Sequence, residues 1–126
     1  MGYRSQVVLA ITKHLVPFLQ LACSKEPEAQ ELVFKASDTF DRDYLNEESW
    51  LLTWDCIKWY EDFKEIIAID AFVEEAISDG FEFEIDGEIQ NSSEHIRFVK
   101  VGEELNDIEV RGDGFWDIYP NTSITY

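Results

Sequence analysis

Basic residues are scarce in the second half of this chain. Residues 61–126 hold eighteen acids against four bases, Lys64, Arg97, Lys100 and Arg111; residues 1–60 hold nine acids against six bases. The net charge is −17. Such a surplus opposes binding to nucleic acid or to anionic lipid, because phosphate binding works by Lys and Arg displacing counterions. It suits a basic protein surface, a metal ion, or water alone.

Cysteine and histidine are scarce too. Cys23 and Cys56 are the two cysteines, with no Cys-x-x-Cys, and both stand in apolar stretches. Two buried reduced thiols are the expectation, rather than a disulfide. His14 and His95 lie far apart and outside any H-x-x-x-H or H-E-x-x-H pattern, so zinc has no framework. The calcium-loop spacing is missed by the acidic stretches as well. Neither cysteine has a nearby histidine, G-x-S-x-G is absent, and the six glycines form no phosphate loop. These absences argue against catalysis, and no cofactor is expected.

Long apolar runs are also missing. None approaches the ~20 residues of a membrane span, and "MGYRSQVVLAIT" lacks a charged segment followed by a long apolar core. A cytoplasmic protein that does not meet membrane is the expectation.

What is present is a core. Of the 126 residues, 45% are hydrophobic, and four Trp and nine Phe place the chain far from the disordered class. One domain over residues 1–126 follows from the length. A strand is expected over residues 3–12 and a helix over 13–24, where Pro17 fits only in the first turn. A second helix is expected over 25–36, with Pro27 at its first position. Residues 37–49 are polar and turn-rich and read as an exposed connection.

"WLLTWDCIKWY" (50–60) is β-branched and aromatic enough for a strand, with Trp50, Thr53 or Trp54, and Ile57 near the core. Trp59 and Tyr60 are expected to pack the following helix onto the sheet. That helix, 62–80, has Asp62 and Glu65 at capping-box spacing, an apolar face at 63, 66, 69, 73, 76 and 77, and Gly80 as its stop. "FEFEIDGEIQ" (81–90) alternates, with Phe81, Phe83 and Ile85 inward and Asp86-Gly87 as a hairpin turn. "HIRFVKVGEE" repeats the alternation, and "TSITY" (122–126) reads as a final edge strand. The fold class is therefore α+β: a mostly antiparallel sheet with about three helices on one face.

The acids are the candidate binding residues. In 82–88, outward Glu82, Glu84, Asp86 and Glu88 are spaced by two strand residues, about 6.6–7 Å. Glu103, Glu104, Asp107 and Glu109 crowd into "VGEELNDIEV" with no base among them. If the two segments shared a face, they would form an acid lattice with the spacing of a nucleic-acid backbone. Such a lattice draws the basic cleft of a nucleic-acid enzyme. The competing readings are a merely solvated face, or a pocket walled by the "KWY" and "GEE–DIE" segments. The pocket would bring together Lys58, Tyr60, Arg97, Glu103 and Asp107 for a small ligand, a metal or an enzymatic reaction. Self-association into a homodimer through the "TSITY" edge is compatible with either.

Three blocks, "MGYRS", "WDCIKWY" and "RFVKVGEELNDIEVRG", resemble a set of small phage and prophage proteins. Those proteins open MGYRS and carry W-D-x-I-K-W-Y and later G-E-x-x-x-D-I-E. Lys100 stands where the resemblance would place an arginine nearer the Gly-Glu. The resemblance implies a genomic setting and no activity. With it, the expectation becomes a non-enzymatic phage-type protein inside a bacterial cell. Its acidic half would inhibit a host nucleic-acid-binding defence factor, such as a CRISPR complex, by nucleic-acid mimicry.

Overall fold

β1 (Ser5–Ile11) is buried at every position except Gln6 and runs through the middle of the sheet. The computed structural model describes residues 2–104, 106–120 and 124–126. Val7, Leu9 and Ile11 fill one face of β1, and Val8 and Ala10 the other. A strand buried on both sides needs a continuous apolar run, which "VVLAI" supplies. Its partners are β3 (Ser49–Ile57) and β6 (Ile96–Gly102), with β2 (Thr39–Tyr44) and β7 (Ile108–Arg111) outside them. The order is β2-β3-β1-β6-β7, and every pairing is antiparallel.

Three helices cover one face: α1 (Val16–Ser24), α2 (Pro27–Phe34) and α3 (Lys64–Ile77). α3 turns Ile66, Ile69, Phe72, Val73 and Ala76 onto the sheet, the 3.6-residue stripe of an amphipathic helix. The Trp54 indole N–H donates to the Leu32 carbonyl at 3.2 Å and ties β3 to α2. Trp59 lies between Trp54 and Phe98, 5.6 and 5.7 Å from their rings. These aromatics are the core, as strand-spaced aromatics usually are.

The opposite face is covered by the chain's own C-terminal segment. Ile118 and Ile124, with Phe115 and Tyr44 at the margin, pack on Val8, Ala10, Leu51 and Val99. β8 (Tyr119–Pro120) and β9 (Ile124–Thr125) form a small ribbon there. The expected strand over 122–126 is thus an internal cover at its Ile124–Thr125 portion, while Thr122 and Ser123 lie outside the described residues.

Several local expectations are corrected. Residues 37–49 contain β2, whose polar sequence reflects an exposed edge where only Phe40 and Tyr44 are half-buried. Asp62 does not cap α3; Phe63 holds the cap position without a side-chain bond. Gly80 follows the helix, yet the left-handed residue is Asp79 (φ 58°), and the Gly80 N–H bonds to the Glu75 carbonyl in a Schellman-type closure. Cys56 is exposed, whereas Cys23 is buried, its thiol pushed up to about 11 by burial. The register explains Cys56: Ser5 faces Ile57 but Val7 faces Trp54, so a bulge at 55–56 turns both residues out of the ladder.

Candidate functional site

Antiparallel pairing gathers the three motif blocks at one end of the sheet. Ser5 lies opposite Ile57 on one side and Gly102 on the other, so residues 2–4, 55–60, 102–104 and 107 meet. The Tyr3 hydroxyl donates to Asp107 Oδ2 at 2.7 Å and accepts the Glu104 backbone N–H at 2.9 Å. The Arg4 backbone N–H donates to Glu103 Oε1 at 3.0 Å, and its guanidinium reaches the Cys56 carbonyl at 3.4 Å. A Cβ on Gly102 would run into the Asp107 carboxylate and the Tyr3 hydroxyl. Gly2 is similarly covered by Tyr60 and Lys58. A groove of about 240 Å³, bordered by Arg4, Asp55, Cys56 and Glu103, opens beside this junction.

Of the five residues in the pocket reading, Glu103 alone borders this groove. Lys58, Tyr60, Glu103 and Asp107 all stand at this end. Arg97 does not: its guanidinium donates to the Gly112 carbonyl at 2.9 Å and the Phe115 carbonyl at 3.5 Å, near the other end of β6. Alternation sends Arg97 to the face opposite Phe98, under the C-terminal loop.

The eight candidate acids separate into three environments. Glu82, Glu84, Asp86 and Glu88 are exposed on the hairpin of β4 (Glu84–Ile85) and β5 (Glu88–Ile89). Asp86 (φ 52°) and Gly87 (φ 83°) make the tight turn. Glu103 and Glu104 are exposed at the far end of β6. Seven residues of strand separate the two groups, roughly 20 Å, so they form no single lattice. Asp107 and Glu109 are half-buried and already engaged, Asp107 by Tyr3 and Glu109 by Lys100 (3.9 Å) and Arg111 (3.3 Å). Those two acids hold the fold and are withdrawn from the candidate surface.

Arg111 is the hub of a second cluster. It pairs with Asp70 at 2.9 Å and Glu74 at 2.8 Å on α3 while its guanidinium lies 4.9 Å from the centre of the Phe98 ring. Burial pushes the Asp70 carboxyl above its ordinary value, against the opposing pull of Arg111 and Lys100.

Sequence reasoning missed the meeting of the two histidines. His14 stacks on Phe83 (5.4 Å) and meets His95 edge-on (5.8 Å). One His95 ring nitrogen contacts the Thr12 hydroxyl at 3.0 Å and the other Gln90 Oε1 at 3.3 Å. Burial, with His14 adding to it, holds His95 below the usual imidazole value. The chain spacing, 81 residues, carried no hint of this contact.

Among the described residues, no three His, Cys, Asp or Glu side chains come together as a metal site, and no helix is long and apolar enough to cross a membrane. Comparison with protein-family models, with curated proteins and with solved structures finds no match to this chain.

Proposed function

We propose that this protein is a non-enzymatic, acidic interaction protein whose partner is the basic surface of a nucleic-acid-binding protein. In the phage setting its motifs resemble, that partner is a host defence factor. One observation carries the reading: the cations of the acidic half are turned inward. Lys100 and Arg111 have side chains only 16% and 13% exposed and pair with Asp70, Glu74 and Glu109, and Arg97 is spent on backbone carbonyls. Lys64 alone of the four lies exposed, on α3. The cations leave the surface together with the acids they pair, so the remaining exposed acids of this half have Lys64 as their one exposed cation among the described residues, which favours fast, salt-sensitive association with a cationic partner.

The structure narrows which acids to vary. Glu82, Glu84, Glu88 and Glu104 can be reversed without breaking a side-chain bond, and Glu103 at the loss of one exposed bond from the Arg4 N–H, whereas Asp107 and Glu109 are tied to Tyr3, Lys100 and Arg111. The test is capture from host lysate with tagged protein, washed at low and then high salt. Retention at low salt of a nucleic-acid-binding protein that added DNA displaces, and that E82K/E84K/E88K or E103K/E104K releases, is the expected result. Retention unaffected by DNA, by salt or by these reversals overturns it.

A second reading keeps one observation in its favour, the convergence of all three motif blocks on the groove beside Arg4 and Glu103. In it the protein binds a small ligand there. Saturable chemical-shift changes confined to residues 2–6, 55–60 and 101–107 on metabolite screening would move the assignment to this groove.

A further inference from the structure

Trp116 is the most exposed large apolar side chain described, at 80%, while Trp50, Trp54 and Trp59 are all buried. Its loop is nonetheless held at many points. The Asp113 N–H donates to the Ser93 carbonyl (2.8 Å), the Gly114 N–H to Ile96 (3.0 Å), and the Ile118 N–H to Phe115 (3.0 Å). Arg97 clamps the Gly112 and Phe115 carbonyls from beneath. Gly114 is buried so closely that a Cβ would press on the Glu94 carbonyl. Phe115 takes a left-handed φ of 52°, unfavourable for an aromatic residue, and its ring is half-buried beside Tyr44. The fold therefore fixes a strained, clamped loop and leaves an indole in water.

An indole held rigid before binding loses little entropy on contact, the property of an interface anchor. Its chemistry narrows the occupant. The Trp116 N–H already donates to the Asp113 carbonyl at 2.9 Å, so the ring offers its π face rather than a hydrogen bond. A depression of about 680 Å³ lies against it, bordered by Glu94, Asp113, Phe115 and Arg97, with exposed Asp117 next in the chain. Arg97 also borders the depression and keeps its charge, but its guanidinium is bonded to two carbonyls beneath the loop, and Glu94 and Asp113 together outnumber it. A π face beside carboxylates is complementary to a guanidinium or ammonium group.

We propose that the Trp116 depression receives an arginine or lysine side chain of the partner protein, stacked on the indole and ion-paired with Glu94 and Asp113. The proposal rests on the basic-partner reading and deepens it, naming an anchor built from residues other than the 82–88 and 103–104 acids.

The test titrates acetyl-Gly-Arg-Gly-amide into the whole protein and follows backbone amide and indole N–H resonances. The citrulline analogue, equal in shape and uncharged, is the control. Saturable shifts of the Trp116 indole and of amides 113–117 are expected with arginine, at least ten-fold weaker with citrulline, and lost in Trp116→Ala. They should persist in E82K/E84K/E88K, whose fold is checked by its unshifted core resonances. Arginine shifts at 82–88 and 103–104 without shifts at 113–117 overturn the anchor and leave the basic-partner reading standing. Equal responses to arginine and citrulline, or responses unchanged in Trp116→Ala, also overturn the anchor. No response anywhere overturns it too, and the basic-partner reading is then decided by the lysate capture.

Discussion

The Tyr3 hydroxyl donates to the Asp107 carboxylate at 2.7 Å across 104 residues of chain. The same oxygen accepts the Glu104 N–H, so one phenol closes the turn after β6 onto the segment that enters β1. The acid-rich stretch 101–110 is thereby divided by function. Glu103 and Glu104 stay exposed, Glu103 with one bond from the Arg4 N–H, and the half-buried Asp107 and Glu109 are anchors.

Tyr3→Phe removes both bonds of this phenol with little change of shape. The urea midpoint should fall with an unchanged slope, since the compact state is otherwise retained. Amide exchange should speed up at Glu104 and Asp107 more than in β1. Unchanged exchange at those two amides would show that the turn does not depend on Tyr3.

Arg111 offers a larger effect. Arg111→Ala leaves the half-buried Asp70 without its closest cation and strips the Phe98 ring of its cover. Hydrogen bonds to charged groups contribute about 1.5–3 kcal/mol, and partial exposure brings the expected loss to about 1–3 kcal/mol. A double-mutant cycle with Asp70→Asn should show coupling, because the two groups share one network. Additive losses within about 0.3–0.5 kcal/mol would show the pair is independent.

The His14–Phe83–His95 cluster predicts a pH dependence. The folded-state value of His95 is lowered, so the unfolded chain binds the proton more readily. Stability contributed by neutral His95 is present above its unfolded value, about 6.5, and is lost as pH falls below it. The loss stops once pH is below the lowered folded value. Urea unfolding between pH 8 and pH 5 should show the decline, and His95→Asn should flatten it. Because Phe83 and Gln90 contact this imidazole, hairpin resonances at 82–90 should broaden over the same range.

The layers of this fold were legible in residue patterning. The apolar run of β1, the stripe of α3 and the Asp86-Gly87 turn each follow from local physics, and the structure has all three. The edge strand β2 escaped because an exposed strand carries few apolar residues, and its register comes from β3 rather than from itself. Long-range contacts escaped for a different reason. Tyr3 with Asp107, His14 with His95, and Arg111 with Asp70 each join elements whose adjacency is set by strand order, which periodicity does not encode. Trp116 escaped because composition reports a tryptophan, and aromatic residues are more often buried.

Two tryptophans should answer substitution in opposite ways. Trp54→Phe takes the donor from the buried Leu32 carbonyl and leaves a gap beside Trp59, and an unsatisfied buried group alone costs about 1–3 kcal/mol. Trp116→Phe changes an exposed ring, and surface changes of this kind stay within about ±0.5 kcal/mol. Acrylamide quenching separates them further. Quenchable emission should come almost wholly from Trp116 and disappear in Trp116→Phe, while the quench-resistant blue emission remains. If Trp116→Phe destabilised the fold as much as Trp54→Phe, the indole would be a structural strut, and the loop would not be holding it ready for a partner.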